Sequence, residues 1–168
     1  MVTMYDISIA PLIRTLSNLS RILKKGEAYA KIKEIDPSIL LNSRLFADMY
    51  PLTKQVQIAT DMSKGVGARL SGLDIPKYED NETTFDELQA RVSKTIDFLE
   101  SVEPELLEGS ESKRVTITIR NIDLEFTGQD YLLKWAMPNV YFHVTTAYNI
   151  LRHNGVELGK SDYLGPRK

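Results

Sequence analysis

Residues 128–155 read GQDYLLKWAMPNVYFHVTTAYNILRHNG, and the interpretation of the whole chain depends on this stretch. It carries the only Trp, both histidines and three of the eight tyrosines. Its apolar residues recur at helical spacing, which predicts one long helix near the C-terminus. Pro138 lies in the middle of this helix, and Asn139 and His143 follow just beyond it. Because polar groups are unusual on a helix suited to a core, we expect any chemical site here.

The composition is typical of one soluble globular domain, which we place at residues 1–168. Of the 168 residues, 42% are hydrophobic and 26% are charged, and the formal net charge is −2. Neither charge sign forms a long run, so nucleic-acid binding is not expected. There is no Cys, which excludes disulfides and thiolate sites and is consistent with a cytoplasmic protein. No apolar run reaches the roughly 18 residues of a membrane span, so no membrane partner is expected.

Three earlier segments also have helical periodicity, so residues 128–155 form the last of four predicted helices. In predicted helix 1, Pro11 either kinks the helix or lies in its first turn. Predicted helix 3 opens with a capping box from Thr84 to Glu87. Predicted helices 1 to 3 cover residues 4–33, 51–73 and 84–100.

Residues 114–127 alternate apolar and polar side chains, which predicts a β-hairpin that turns near Arg120 and Asn121. Two strands alone are only marginally stable in water, so the apolar face of this hairpin should lie on the helices. The tail after residue 155 is predicted to be irregular. The predicted fold is therefore mainly all-α: a four-helix bundle with a small β-hairpin inserted between helices 3 and 4.

Helix geometry decides which residues of predicted helix 4 can act together. Asn139 and His143 are four residues apart and share one face. His143 and His153 are ten residues apart, so they point about 80° apart and lie about 15 Å apart along the axis, too far to share an ion. His143 could bind a metal or act as a general base, or it could be a half-buried residue hydrogen-bonded to a neighbour. His153 lies where a cation meets the negative end of the helix dipole.

Predicted helix 2 carries a second polar pair, Gln57 and Asp61, which are also four residues apart. Asp61 would be a hard-oxygen metal ligand and Gln57 a weak one, or the two could form a solvated edge. The aromatic residues of predicted helix 4 have core spacing, although the hydroxyl of Tyr148 could still face the site. No phosphate loop, nucleophile elbow or dinucleotide fingerprint is present, so no catalytic residue is identified.

Three stretches together resemble the DinB/YfiT-like superfamily of metalloenzymes, and more closely its branch catalogued as domain of unknown function 1993. They read LFADMYPLTKQVQIATDMSKGVGARLSG, FTGQDYLLKWAMPNVYFH and FHVTTAYNILRHNGVELGKSDYLG. The resemblance covers essentially the whole chain. It implies a four-helix bundle, often dimeric, in which one His of helix 2 and a His-x-x-x-His pair of helix 4 bind a divalent metal. Some members of the superfamily are thiol-dependent transferases or isomerases.

By position, the second His of that pair corresponds to His143, whereas Asn139 stands in place of the first. The helix 2 ligand corresponds to Gln57 or Ile58, and neither is a His. A single imidazole with neutral amides is a poor site for Zn²⁺ or Ni²⁺. The resemblance therefore predicts a degenerate metal site, with no certain cofactor or at most a weakly held divalent metal (Zn, Ni or Fe).

The first functional hypothesis is a homodimer that binds a small molecule in a polar cavity between predicted helices 2 and 4. The alternatives are a divalent-metal-dependent transferase, isomerase or hydrolase of the DinB-like type, and a non-catalytic homodimeric interaction module. His143 is the one candidate metal ligand that the resemblance retains. The candidate pocket residues are His143, Asn139, Gln57, Asp61 and Tyr148.

Overall fold

Helices dominate the computed structural model, which describes residues 2–166. In chain order the helices are α1 (Met4–Ile7), α2 (Ile9–Ile32), α3 (Pro37–Leu41), α4 (Leu52–Ser71), α5 (Phe85–Glu100), α6 (Gly128–Asp130), α7 (Met137–His153) and α8 (Lys160–Leu164). A 3₁₀ turn at Pro104–Leu107 precedes two strands, β1 (Arg114–Ile119) and β2 (Ile122–Thr127). None of the helices within residues 2–166 has the length and apolar character needed to cross a bilayer.

The last long helix is continuous but not uniform. A π-helical turn at Tyr131–Ala136 joins α6 to α7, so that residues 128–153 form one rod with α2, α4 and α5 packed around a shared core. Pro138, which has no N–H to donate, lies in the first turn after the π-helical turn. The predicted fold, a mainly helical bundle with a hairpin between the third and fourth long helices, is confirmed.

The first predicted helix is divided at Ser8. The short α1 begins with a capping box between Thr3 and Asp6. Helix α2 begins at Ile9, with Pro11 in its first turn. No break occurs at Gly26, which is buried in the middle of α2. A Cβ atom at this position would lie 2.9 Å from a methyl carbon of Leu151, so the glycine allows α2 to approach α7 closely.

Helix α4 lies between α5 and α7 and packs against both. Gly67 allows the approach of α5, because a Cβ atom there would lie 3.0 Å from the side chain of Leu99. Gly72 ends α4 in the left-handed conformation, with φ of 87°. The capping box predicted at Thr84 is present at the start of α5. The Thr84 hydroxyl accepts from the Glu87 N–H at 3.2 Å, and the Thr84 N–H donates to the Glu87 carboxylate at 3.0 Å.

The hairpin turns at Arg120 and Asn121, as predicted, and both residues have positive φ. Its register pairs Val115 with Phe126 and Ile117 with Leu124. Val115 and Ile117 are buried, whereas the apolar pair at the tip, Ile119 and Ile122, is exposed. The apolar face therefore lies on the helices only at the base of the hairpin.

The tail was predicted to be irregular, and this prediction is wrong for residues 160–164, which form α8. Asp162 closes the first turn of α8 by accepting from the Gly159 N–H at 2.8 Å. The helix packs against α2. The five residues of α8 are too short a sequence signal to predict a helix that docking against α2 stabilises.

Candidate functional site

The side chain of His143 faces α4 across the seam between α4 and α7. Its Nδ1 lies 2.7 Å from Oε1 of Gln55, a buried residue of α4. His143 itself is partly exposed, and its ring packs at right angles against Phe142, with 5.2 Å between ring centroids. We define the α4–α7 seam site as His143, Gln55 and Asn139.

The hydrogen bonds of Gln55 assign the tautomer of the imidazole. Its amide nitrogen donates to the carbonyl of Tyr50 at 2.9 Å, which turns the amide oxygen toward His143. Because that oxygen can only accept, Nδ1 of His143 must carry the proton. In the neutral ring Nε2 then holds the lone pair, and within residues 2–166 it has no hydrogen-bond partner.

Burial lowers the pKa of His143 below its ordinary value of 6.5, because the charged ring loses hydration. The imidazole is therefore neutral at pH 7. A neutral ring with a fixed Nδ1–H presents Nε2 as a hydrogen-bond acceptor or as a general base for a bound molecule.

Asn139 lies one turn before His143 on the same row of α7, as predicted. Its amide nitrogen donates to the carbonyl of Trp135 at 2.7 Å, next to the π-helical turn. The amide oxygen of Asn139 accepts no hydrogen bond within residues 2–166. It is therefore an available acceptor on a residue one helical turn before His143.

Gln57 and Asp61 do not join His143. Gln55 and Gln57 are two residues apart and point about 200° apart around α4. The amide of Gln57 donates to Glu82 at 2.9 Å, and Asp61 accepts from Arg91 at 2.8 Å. Both predicted pocket residues therefore lie on the α5 side of α4.

Tyr148 also lies away from His143. Its hydroxyl is 3.4 Å from the carbonyl of Leu158, and its ring meets the edge of Tyr163. Tyr148 therefore contacts the C-terminal segment and not the α4–α7 seam site. His153 is exposed in the last turn of α7, the position predicted from the sequence.

Arg91 forms a buried ionic cluster that sequence reasoning missed. Its guanidinium is fully buried and contacts Glu82, Asp61, Asp80 and the hydroxyl of Thr60, at 2.9, 2.8, 3.1 and 2.7 Å. These contacts hold the segment that joins α4 to α5 against both helices. The sequence feature that could have indicated this cluster is an arginine on the core-facing row of α5, downstream of the acidic stretch EDNE.

Gln55 was missed for a similar reason. It lies on the buried face of α4, three residues after Leu52 and four before Ala59. A polar residue on an apolar stripe needs a partner, and its partners, His143 and the carbonyl of Tyr50, come from other elements. The sequence pattern indicates that Gln55 needs a hydrogen-bond partner, but it does not identify that partner.

The side chains at the seam do not fit the divalent metal that the family resemblance implies. The Gln55 oxygen is already bound to His143, the Gln57 amide is bound to Glu82, and Asn139 offers only a neutral oxygen. No group of three or more His, Cys, Asp or Glu side chains in the described part of the chain could hold a metal ion. One imidazole with one amide oxygen lacks the donor set that Zn²⁺ or Ni²⁺ requires.

The surface formed by residues 2–166 includes concavities of 420–860 Å³ that His143 does not line. The polar atoms of the seam lie between two packed helices, α4 and α7.

Comparison with known proteins identifies the family of this chain. Residues 4–164 match the family described as Domain of unknown function (DUF1993). A crystal structure of a DinB family member protein from Shewanella denitrificans superposes with a TM-score of 0.91 at 42% sequence identity, covering 97% of this chain and 92% of that one. No curated protein matches the chain. The chain belongs to the DinB-like superfamily, in the branch described as a domain of unknown function, DUF1993.

Proposed function

We propose that this protein binds a small polar molecule at the α4–α7 seam site, through Nε2 of His143 and the amide oxygen of Asn139, without a resident metal. One observation carries the proposal: the hydrogen-bonded chain from Nδ1 of His143 through Gln55 to the carbonyl of Tyr50. This chain orients the ring and holds its proton on the inner nitrogen. A ligand would meet an outward-facing acceptor that needs no rearrangement before binding.

The ligand is expected to be a hydrogen-bond donor with an apolar part. Nε2 and the Asn139 oxygen are both acceptors, so they favour a hydroxyl, amide or ammonium group. The ring of Phe142, which is 56% exposed beside His143, supplies an apolar surface for the rest of the molecule. A donor that becomes acidic when bound could transfer its proton to Nε2, and this is the route to catalysis that the seam offers.

The test uses the fact that the chain has two histidines. A library of small polar compounds is screened by two-dimensional NMR on the tag-free protein and on two variants, His143→Gln and His153→Gln. We expect hits that shift the signals of Gln55 and Asn139, that bind less tightly to His143→Gln, and that bind His153→Gln unchanged. Hits that bind all three proteins equally would place the ligand elsewhere and refute the proposal.

Elemental analysis of the same tag-free protein addresses the metal. The proposal predicts substoichiometric Zn, Ni and Fe in the wild type and no difference in the His143→Ala variant. Stoichiometric metal that this substitution removes would favour the alternative, a divalent-metal-dependent transferase, isomerase or hydrolase. In that case water or substrate would complete the ligand set.

We further propose that the protein is a homodimer. Support comes from apolar side chains of the last helix, where Leu133 and Tyr141 are exposed. Leu133 and Tyr141 also line an apolar groove of about 420 Å³ with Pro11 of α2. Light scattering should give twice the monomer mass, and a Leu133→Ser/Tyr141→Ser variant should give the monomer mass. A wild-type monomer would refute the dimer and with it the alternative of a homodimeric interaction module.

A further inference from the structure

The chain after α7 lies across α2 and is held there by polar side chains. Arg14 donates to the carbonyl of Leu164 through Nε and Nη2, at 3.4 and 3.0 Å. Asn18 donates to the carbonyl of Tyr163 at 2.7 Å, and Arg21 donates to the side-chain oxygen of Asn18. These bonds fix both guanidinium groups beside the C-terminal segment.

The two arginines line two concave surfaces next to this segment. The larger has a volume of about 860 Å³ and is lined by Arg14, Arg21, Lys160, Ser161 and Asp162 with the backbone of the segment. The other, of about 560 Å³, shares both arginines. We call the larger one the Arg14–Arg21 concavity. It is remote in the sequence from the α4–α7 seam site and shares no residue with it.

Asp162 also lines this concavity, but its carboxylate is not paired with the arginines or with Lys160. Arg14 and Arg21 are bound by neutral oxygen atoms, and neither they nor Lys160 forms a salt bridge within residues 2–166. The carboxylate of Asp162 is paired with Lys25 at 2.7 Å. Lysine, two arginines and the Ser161 hydroxyl thus face one concave surface in a protein whose formal net charge is −2.

Helix geometry brings the two guanidinium groups together. Arg14 and Arg21 are two turns apart on one face of α2, about 10 Å along the axis. Side chains in a helix point toward its N-terminus, and Arg21 reaches back to Asn18, one turn from Arg14. The unused N–H groups of both arginines therefore lie within reach of one ligand.

We propose that the Arg14–Arg21 concavity binds a small water-soluble molecule carrying a phosphate or carboxylate group. Planar guanidinium groups recognise these oxyanions through paired hydrogen bonds, and fixing the side chains before binding reduces the entropy that a ligand must remove. Lys160 and Ser161 add a third cation and a hydroxyl donor at the rim. The site is independent of the proposed function of His143.

The test is a calorimetric titration of the full-length protein with inorganic pyrophosphate at low ionic strength, with chloride as the reference anion. Saturable binding is expected in the wild type. Arg21→Gln should weaken it about tenfold, since one charge-assisted hydrogen bond is lost. Arg152→Gln, at an exposed position on α7, is the matched control and should bind like the wild type.

Lys160→Gln keeps the test decisive if Arg21→Gln loosens the C-terminal segment, because Lys160 makes none of the bonds that hold the segment. It should also weaken pyrophosphate binding. No saturable binding by the wild type, or equal weakening by Arg152→Gln, would overturn the proposal. Binding only to vesicles that contain phosphatidylglycerol, and not to free pyrophosphate, would also overturn it, because the ligand would then be a membrane surface.

Discussion

Replacing Arg91 by methionine should strongly destabilise the protein at pH 7, and the penalty should shrink in acid. Methionine keeps most of the length and apolar stem of arginine but removes the charge. Three carboxylates lose the bond to Arg91: Glu82, Asp61 and Asp80. Asp61 keeps its pair with Lys64 and Asp80 its pair with Lys54, whereas Glu82 keeps no cation. The side chains of Glu82, Asp61 and Asp80 are 6%, 36% and 37% exposed, respectively, so only Glu82 is left charged and buried.

The expected loss of stability is set by the free energy needed to protonate Glu82, which removes the buried charge. In the wild type, burial alone would raise the pKa of Glu82, but hydrogen bonds from Arg91 and Gln57 outweigh it and hold the pKa below the ordinary value of 4.5. In the variant the carboxyl would protonate on folding, which from a pKa of 4.5 costs about 3.4 kcal/mol at pH 7 and about 0.7 kcal/mol at pH 5. The two exposed pairs add at most about 1 kcal/mol each.

Urea denaturation followed by the fluorescence of the single Trp measures this difference. We expect the free energy of unfolding of Arg91→Met to lie about 3–4 kcal/mol below the wild type at pH 7, and the gap to narrow by about 2–3 kcal/mol at pH 5. The contribution of Glu82 to the wild-type free energy of unfolding should be lost only below about pH 4.5, as this carboxyl protonates.

Two variants sharpen the test. Adding Glu82→Gln to Arg91→Met removes the unpaired charge and should recover most of the loss at pH 7. Arg152→Met, at an exposed position, should stay within about 0.5 kcal/mol of the wild type. A loss below about 1 kcal/mol at pH 7, or a loss independent of pH, would refute the assignment of the cost to Glu82.

Three further predictions concern other parts of the fold. Gly128→Ala would place a Cβ atom 1.9 Å from the carbonyl oxygen of Ser110, so its free energy of unfolding in urea should fall by about 1–3 kcal/mol. Gly159→Ala, whose Cβ atom would make only ordinary contacts, is the control and should be near neutral. Thr84→Ala removes half of a capping box and should cost about 1 kcal/mol by the same assay. The free energy of unfolding should decline as pH falls below 6.5, because the unfolded chain protonates His143 more readily than the native state does, and His143→Gln should remove that part of the decline.

Local signals were sufficient for much of the fold. The hairpin turn at Arg120 and Asn121 and the capping box at Thr84 depend on residues within a few positions of each other, and both were predicted. The long helices followed from periodicity alone. Such elements are predictable because the residues that decide them are close in the sequence.

The site was harder to predict because its partners are distant in the sequence. His143 meets Gln55, 88 residues away, and Gln57 meets Glu82, 25 residues away. Helical spacing correctly placed Asn139 beside His143, but it could not decide which polar residue of α4 faces α7. Gln55 and Gln57 are only two residues apart, but a step of two residues turns the helix by about 200°. Gln55 therefore faces α7, whereas Gln57 faces away from it.

The proposed function requires that His143 is neutral and carries its proton on Nδ1, which leaves Nε2 for a ligand. Long-range ¹H–¹⁵N correlation spectra of the protein, assigned with the His153→Gln variant, report the tautomer and the pKa of His143 directly. We predict a protonated Nδ1 and an unprotonated Nε2 at pH 7, with a titration midpoint below 6.5. A proton on Nε2, or a midpoint at or above 6.5, would contradict the proposed function.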